Sequence, residues 1–153
     1  MIDSPLPDRA KLKAVQKCAC FNLRKAARAV TALYDDFLRP TGLRATQYSL
    51  LTLIRVAGRV SITDLAEEAV MDRTTLKRNL DLLEREGLVR IQPGADARVR
   101  EVSLTSAAQK KLAEALPYWA KAQTQITGRL GKARSDQLLS DLTAAIAATE
   151  SEG

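Results

Sequence analysis

SITDLAEEAVMDRTTLKRNLDLLEREGLVRIQPGADARVREVSLT, residues Ser61–Thr105, decides the fold. Ser61-x-x-Asp64 has the form of a capping box opening a short helix, with Ile62, Leu65, Ala66 and Ala69 facing inward. Asp72 is placed to cap a second helix that runs to Glu86 and ends at Gly87, a residue type suited to the left-handed turn that closes helices. Two short runs, Leu88–Gln92 and Val99–Leu104, then flank a turn at Pro93-Gly94 and read as a hairpin. Helix, tight turn, helix and hairpin form the succession of a winged helix-turn-helix, whose second helix enters the DNA major groove.

On a helical wheel of Arg73–Glu86, Leu76, Leu80 and Leu83 make one stripe and Thr74, Arg78, Asp81 and Arg85 lie opposite. Arg73, Thr75 and Lys77 occupy the flanks. The first turns of a recognition helix reach deepest, so Arg73, Thr74, Thr75, Lys77 and Arg78 are the candidates for DNA contact. Arginine or lysine pairs with guanine O6 and N7, and a threonine methyl packs on that of thymine. Asp81 and Arg85 read as a solvated i,i+4 pair.

In the hairpin, Asp96, Arg98 and Arg100 alternate and so share one face of the strand. An arginine near the wing tip suits the narrow minor groove, and Asp96 is placed to hold Arg98 by a charge-assisted hydrogen bond. Arg98 and Arg100 join the DNA-binding set, with Asp96 as wing support. A plain surface ion pair fits the same residues.

Working outward, Leu12, Val15, Ala19, Leu23, Ala26, Val30, Leu33 and Phe37 recur at steps of three and four, predicting a helix of about seven turns. Residues 1–8, with Pro5 and Pro7, read as a loose arm. Pro40 and Gly42 stop the first helix, Thr46–Val56 forms another ended by Gly58, and Val60–Ser61 suits a brief strand. Ser106-x-x-Gln109 opens a long helix reaching Leu130, Gly131 interrupts it, and a last helix covers about Ser135–Thr149.

The expected fold class is mainly α with a small β-hairpin wing (α+β), in one domain over 1–153. A winged helix-turn-helix at about 44–104 is bracketed by dimerisation helices at about 9–40 and 105–150. The dimer follows from the stripe on the first helix, which extends beyond what so small a winged lobe can cover. Tyr118 and Trp119 are assigned to the same packing, with a ligand-pocket role as the alternative.

Composition agrees without deciding. The 153 residues are 46% apolar, and 24 Lys+Arg against 18 Asp+Glu give a net charge of +6, which suits a polyanion but also simple solubility. Histidine is absent, which removes His-based acid–base catalysis, Ser-His triads and His-ligated metal. With no phosphate-cradling glycine loop either, the expectation is no catalytic residue, no metal, no cofactor and no enzyme. No apolar run approaches membrane-spanning length and residues 1–12 lack a signal-peptide core, so a cytoplasmic protein without a membrane partner is expected.

GLRATQ at Gly42–Gln47, DLAEEAVMDRTTLKRNLDLLEREGLV at Asp64–Val89 and the D-x-R-x-x-x-V-x-L-T pattern of Asp96–Thr105 together resemble the MarR family of transcription regulators. The likeness spans about Cys18–Ile146. It implies a homodimer built by the first helix and the last two, binding a palindromic operator in double-stranded DNA. It further implies repression relieved by a small aromatic or phenolic ligand, or by oxidation. Arg98 takes the position of the minor-groove arginine, and Arg73–Asn79 that of the base-reading turns.

CFNLRKAARAVTALY, Cys20–Tyr34, also resembles the first helix of the organic-hydroperoxide-sensing branch of that family. The likeness implies a peroxide-reactive Cys20 whose thiolate is hydrogen-bonded by Tyr34. Arg24 and Ala45 stand where that pattern has two further tyrosines. Cys20 and Tyr34 lie about 21 Å apart on one helix, so they meet only across a two-fold axis between antiparallel helices. The bland alternative is a small buried hydrophobe. Cys18 and Cys20, at i and i+2 of the helix, point to different faces and do not bridge. A ligand-released repressor, a redox-sensing repressor and a winged-helix protein-interaction module therefore remain open.

Overall fold

The computed structural model describes residues 8–150; the arm expected at 1–8 lies outside the described residues except for Asp8, whose carboxylate accepts from Ala10 N. The winged lobe comprises α3 (Ala45–Ala57), β1 (Arg59–Ser61), α4 (Ile62–Glu68), α5 (Arg73–Arg85), β2 (Val89–Pro93) and β3 (Arg100–Leu104). It is flanked by α1 (Arg9–Leu12) and α2 (Ala19–Leu38) before it, and by α6 (Ser106–Leu130) and α7 (Lys132–Ala147) after it. The brief strand at Arg59–Ser61 turns the hairpin into a three-stranded antiparallel sheet of order β1-β3-β2. Val60 and Ile91 both lie opposite Val102, giving a row of branched side chains across the sheet. No helix among the described residues is long and apolar enough to cross a membrane.

The winged lobe closes on its own core. Leu51, Ile54, Leu65, Leu76, Leu80, Leu83 and Val102 are at most 1% exposed, and burying each such side chain is worth about 1.5–3 kcal/mol before the entropy of ordering it. Caps set its corners. Ser61 Oγ accepts from Asp64 N at 3.0 Å and Asp72 Oδ1 from Thr75 N at 2.8 Å, as the residue types foretold. Helices α4 and α5 both end in the same pair of hydrogen bonds: Met71 N to Ala66 O and Val70 N to Glu67 O, then Leu88 N to Leu83 O and Gly87 N to Glu84 O. The left-handed residue is Gly87 (φ +72°) in one and Val70 (φ +50°) in the other.

The arms depart from expectation in three places. The first helix is not continuous: a tight 3-10 turn over Lys13–Lys17 ends at Cys18, which is extended (ψ 124°), and α2 begins at Ala19. The amide of Asn22 spans the break, donating to Gln16 O at 2.8 Å and to Cys18 O at 2.9 Å, which also accepts from Asn22 N. The cap of α6 is Thr105, not Ser106: its hydroxyl donates to Gly87 O at 2.7 Å and accepts from Ala108 N at 3.2 Å, fastening α6 to the end of α5. Helix α7 starts at Lys132, directly after Gly131 (φ +81°). Trp119 serves the chain's own packing, stacked on Tyr48 with centroids 6.3 Å apart, and Tyr118 is half-buried beside Lys121.

Leu38 is the one buried residue of α2, and Ser135, at 9% exposure, the one of α7. The chain exposes 11488 Å² for 16.7 kDa, where a compact monomer of that mass exposes roughly 7,600 Å². Leu12, Val15, Phe21, Leu23, Val30, Leu138, Leu139 and Ile146 are all exposed.

Candidate nucleic-acid interface

The sequence places three leucines on one face of α5, and their burial turns the opposite face outward. Thr74, Thr75 and Arg78 are exposed there. Asn79 is half-buried, and its amide donates to Thr75 O at 2.9 Å. Arg73 donates to the Thr63 hydroxyl of α4, which locks the two helices of the motif together at the start of α5. The Asp72 carboxyl at the cap is held below the usual aspartate range by hydrogen bonds from the Thr75 hydroxyl and backbone.

The pairing on this face differs from the expected one. Asp81 takes Lys77 at 2.7 Å, while Arg85 turns back to donate to Asp81 O at 3.3 Å. Helical side chains lean toward the N-terminus, so the Asp81 carboxylate comes to Lys77, one turn earlier.

The wing is also corrected. Pro93 still pairs with Arg100 across the sheet, and the chain reverses later, with Val99 N donating to Asp96 O at 2.9 Å and Gly94 N to Val99 O at 2.7 Å. Asp96 and Arg98 therefore sit in the turn rather than on a strand face. The turn brings them together: Asp96 Oδ1 accepts from Arg98 N at 3.0 Å and Nε at 3.3 Å. The Arg98 side chain is 92% exposed, so the pair orients a guanidinium in water and contributes little to stability.

Between α4, α5 and the wing lies an open cleft of about 620 Å³ whose lining includes Arg73, Lys77, Arg98 and Arg100, with Asp81 and Glu84 among them. Four of the expected residues thus meet in one concavity, while Thr74, Thr75 and Arg78 project from the outer face of α5. Glu84 escaped the sequence reading. Its carboxylate accepts from Ile91 N at 3.1 Å, tying α5 to the wing's β2.

Links between elements were equally hidden. Asp35 on α2 accepts from Ala45 N at 2.7 Å, capping α3 from another helix. Gln47 accepts from Arg44 N at 2.9 Å and donates to Glu86 at 3.2 Å, at the end of α5. Tyr34 donates to Gln123 of α6, and burial pushes its hydroxyl above the ordinary phenolic range. Beside these contacts is a second cavity of about 220 Å³, lined by Val30, Thr31, Tyr34, Leu38, Ala45, Tyr48, Ser49 and Trp119. Cys18 is half-buried and Cys20 exposed.

The likeness to known proteins agrees with this geometry. The family model described as "MarR family" matches residues 43–99. The transcriptional regulator HosA of Escherichia coli is 32% identical over 118 residues, 76% of this chain and 86% of that one. An uncharacterized HTH-type transcriptional regulator of Bacillus subtilis, YwoH, is 29% identical over 60% of this chain and 67% of its own. Among solved structures, the M. tuberculosis transcriptional regulator MosR in complex with DNA superimposes with a TM-score of 0.77 at 38% identity. That match covers 87% of this chain and 99% of that one.

Proposed function

This chain belongs to the MarR family of transcriptional regulators, and we propose that it acts as a homodimeric repressor on a palindromic DNA operator. It is a regulator rather than an enzyme. The observation that carries the DNA-binding reading is the cleft in which Arg73 and Lys77 of the recognition helix face Arg98 and Arg100 of the wing. A duplex laid across that cleft meets the helix in its major groove and the wing-tip arginine in the adjacent minor groove, with the phosphate strand between the two grooves over the basic lining. The solved MosR complex with DNA supports the same reading.

Burial calls for a partner subunit. Exposed leucines on α2 and α7 and the large surface of the single chain need a cover, and a second copy supplies identical stripes. Two recognition helices then read half-sites about 34–36 Å apart. Release follows if a small aromatic ligand enters the cavity between α2, α3 and α6, where Tyr48 and Trp119 offer faces and Tyr34 and Ser49 offer hydroxyls. That cavity adjoins the Asp35–Ala45 and Gln47–Glu86 contacts that run from α2 to the end of α5. A displacement of α2 thereby changes the spacing of the two recognition helices.

Oxidation at Cys20 is the second reading, favoured by that side chain's exposure. Against it, Tyr34 is already engaged by Gln123 within the chain.

The test is selection of bound sequences from a random DNA pool, followed by challenge of the complex with phenolic ligands and with an organic hydroperoxide. An enriched palindrome released by a ligand is the expected result. Release by peroxide that vanishes in Cys20→Ser moves the signal to the thiol. No enriched sequence overturns DNA binding in favour of a protein-interaction module.

A further inference from the structure

The base of the wing carries a clamp. Arg59 on β1 lies opposite Ser103 of β3, so its side chain shares a sheet face with Glu101, two residues along the same strand. Its Nε pairs with the Glu101 carboxylate, and its Nη2 donates to Pro93 O at the end of β2 at 3.1 Å. One guanidinium thereby joins all three strands where the wing loop leaves the sheet.

The Glu101 side chain is only 26% exposed, and it packs against Gly94. A Cβ on residue 94 would stand 2.7 Å from Glu101 Oε1 and 2.9 Å from its Cδ, closer than carbon atoms approach without displacement. Glutamate is flexible, so a side chain at position 94 would displace this carboxylate and loosen its pairing with Arg59; glycine leaves the clamp closed. Gly94 N in turn holds Val99 O at 2.7 Å, immediately after Arg98.

We propose that Arg59, Glu101 and Gly94 are positioning residues that aim Arg98 of the wing tip at the DNA minor groove. The proposal rests on the DNA-binding reading above. Arg98 itself is 92% exposed, with Asp96 as its ionic partner, so the tip contains little to set the direction of the hairpin. A two-stranded ribbon twists easily about its own axis, and its orientation has to come from its root. On the outer edge Glu84 holds β2 to α5; on the inner side Arg59 holds β2 and β3 to β1. With the root fixed, the entropy of orienting the wing is lost on folding rather than on binding.

The experiment combines operator affinities for the wild type, Arg98→Ala, Arg59→Ala and the double variant with amide order parameters at residues 96–99 in the DNA-free protein. Arg98→Ala is expected to weaken binding by about tenfold or more, and Arg59→Ala by roughly three- to tenfold. The double variant should lose no more than about twofold beyond Arg98→Ala, because the clamp acts through that arginine. Order parameters at the tip should fall in Arg59→Ala. Glu101→Gln, which keeps the shape, and Gly94→Ala, which displaces the carboxylate, should repeat the pattern and guard against misfolding of one variant.

Losses that multiply in full overturn the proposal, as does a wing tip that stays rigid in all three clamp variants. A wild type that binds no operator overturns the DNA-binding reading and the aiming role together. Expected behaviour of wild type and Arg98→Ala beside unchanged affinity in the clamp variants overturns the clamp alone.

Discussion

Leu76, Leu80 and Leu83 on α5 are wholly buried within the chain, whereas Leu23 and Val30 on α2, Leu116 on α6 and Leu138, Leu139 and Ile146 on α7 stand 38–62% exposed. Both regions repeat leucine at helical spacing. In the winged lobe each stripe meets another element of the same lobe, and capped corners bring the elements together within a few residues. In the arms the stripes run along long helices and find no cover among the described residues. Periodicity reports that a face must be buried; it is silent on which chain buries it.

Charging the uncovered stripe breaks this contrast most severely. Leu138→Asp with Leu139→Asp should convert the proposed dimer to monomers in sedimentation while leaving the winged lobe folded. Operator affinity should then fall on the order of a thousandfold, as the second half-site is lost. A dimer that persists would place the interface elsewhere.

The opposite intervention targets the closed core. Leu80→Ala removes a fully buried side chain and should cost about 2–5 kcal/mol in denaturant unfolding. Association of whatever remains folded should be little affected. Equal sensitivity of folding and dimerisation to both sets of changes would mean that lobe and arms form one cooperative unit.

Within the lobe the two matching helix ends differ in one residue. Val70 is β-branched at φ +50° and 66% exposed, where α5 uses Gly87. Val70→Gly should raise stability by up to about 1 kcal/mol, because the left-handed conformation strains a branched side chain and the exposed methyls contribute little packing. A lower midpoint would show that Val70 is packed in the assembled protein.

The smallest effect concerns Asp72. Its carboxyl is held below the ordinary range by the Thr75 hydrogen bonds, so its contribution is present above the unfolded-state value, about 3.9, and is lost as pH falls through the lowered one. The melting temperatures of wild type and Asp72→Ala should therefore converge on acidification below roughly pH 4. A constant difference would assign the effect to helix geometry rather than charge.

The winged lobe was legible because its signals are local. Ser61 and Asp72 cap the helices that follow them, Gly87 ends α5, and the leucine stripe of α5 is buried as its spacing requires. The errors lie where a local rule met a competitor. Thr105 outcompetes its neighbour Ser106 because its hydroxyl also reaches Gly87 O. The first helix breaks at Cys18 although its apolar spacing continues, and the Asn22 amide bridges the break to Gln16 O and Cys18 O. Asp96 and Arg98 meet, but through a turn rather than strand alternation.

By itself, the sequence determined the helix-turn-helix order, the faces of α5 and the basic residues at its start and on the wing, because capping, periodicity and charge act over a few residues. Only the tertiary structure decided which of those residues share the cleft, that Asp35 caps a helix not its own, that Trp119 stacks on Tyr48, and that Arg59 reaches across three strands to Glu101 and Pro93. Those contacts join residues remote along the chain, and their geometry is set by how rigid elements pack, which no spacing within a single element encodes.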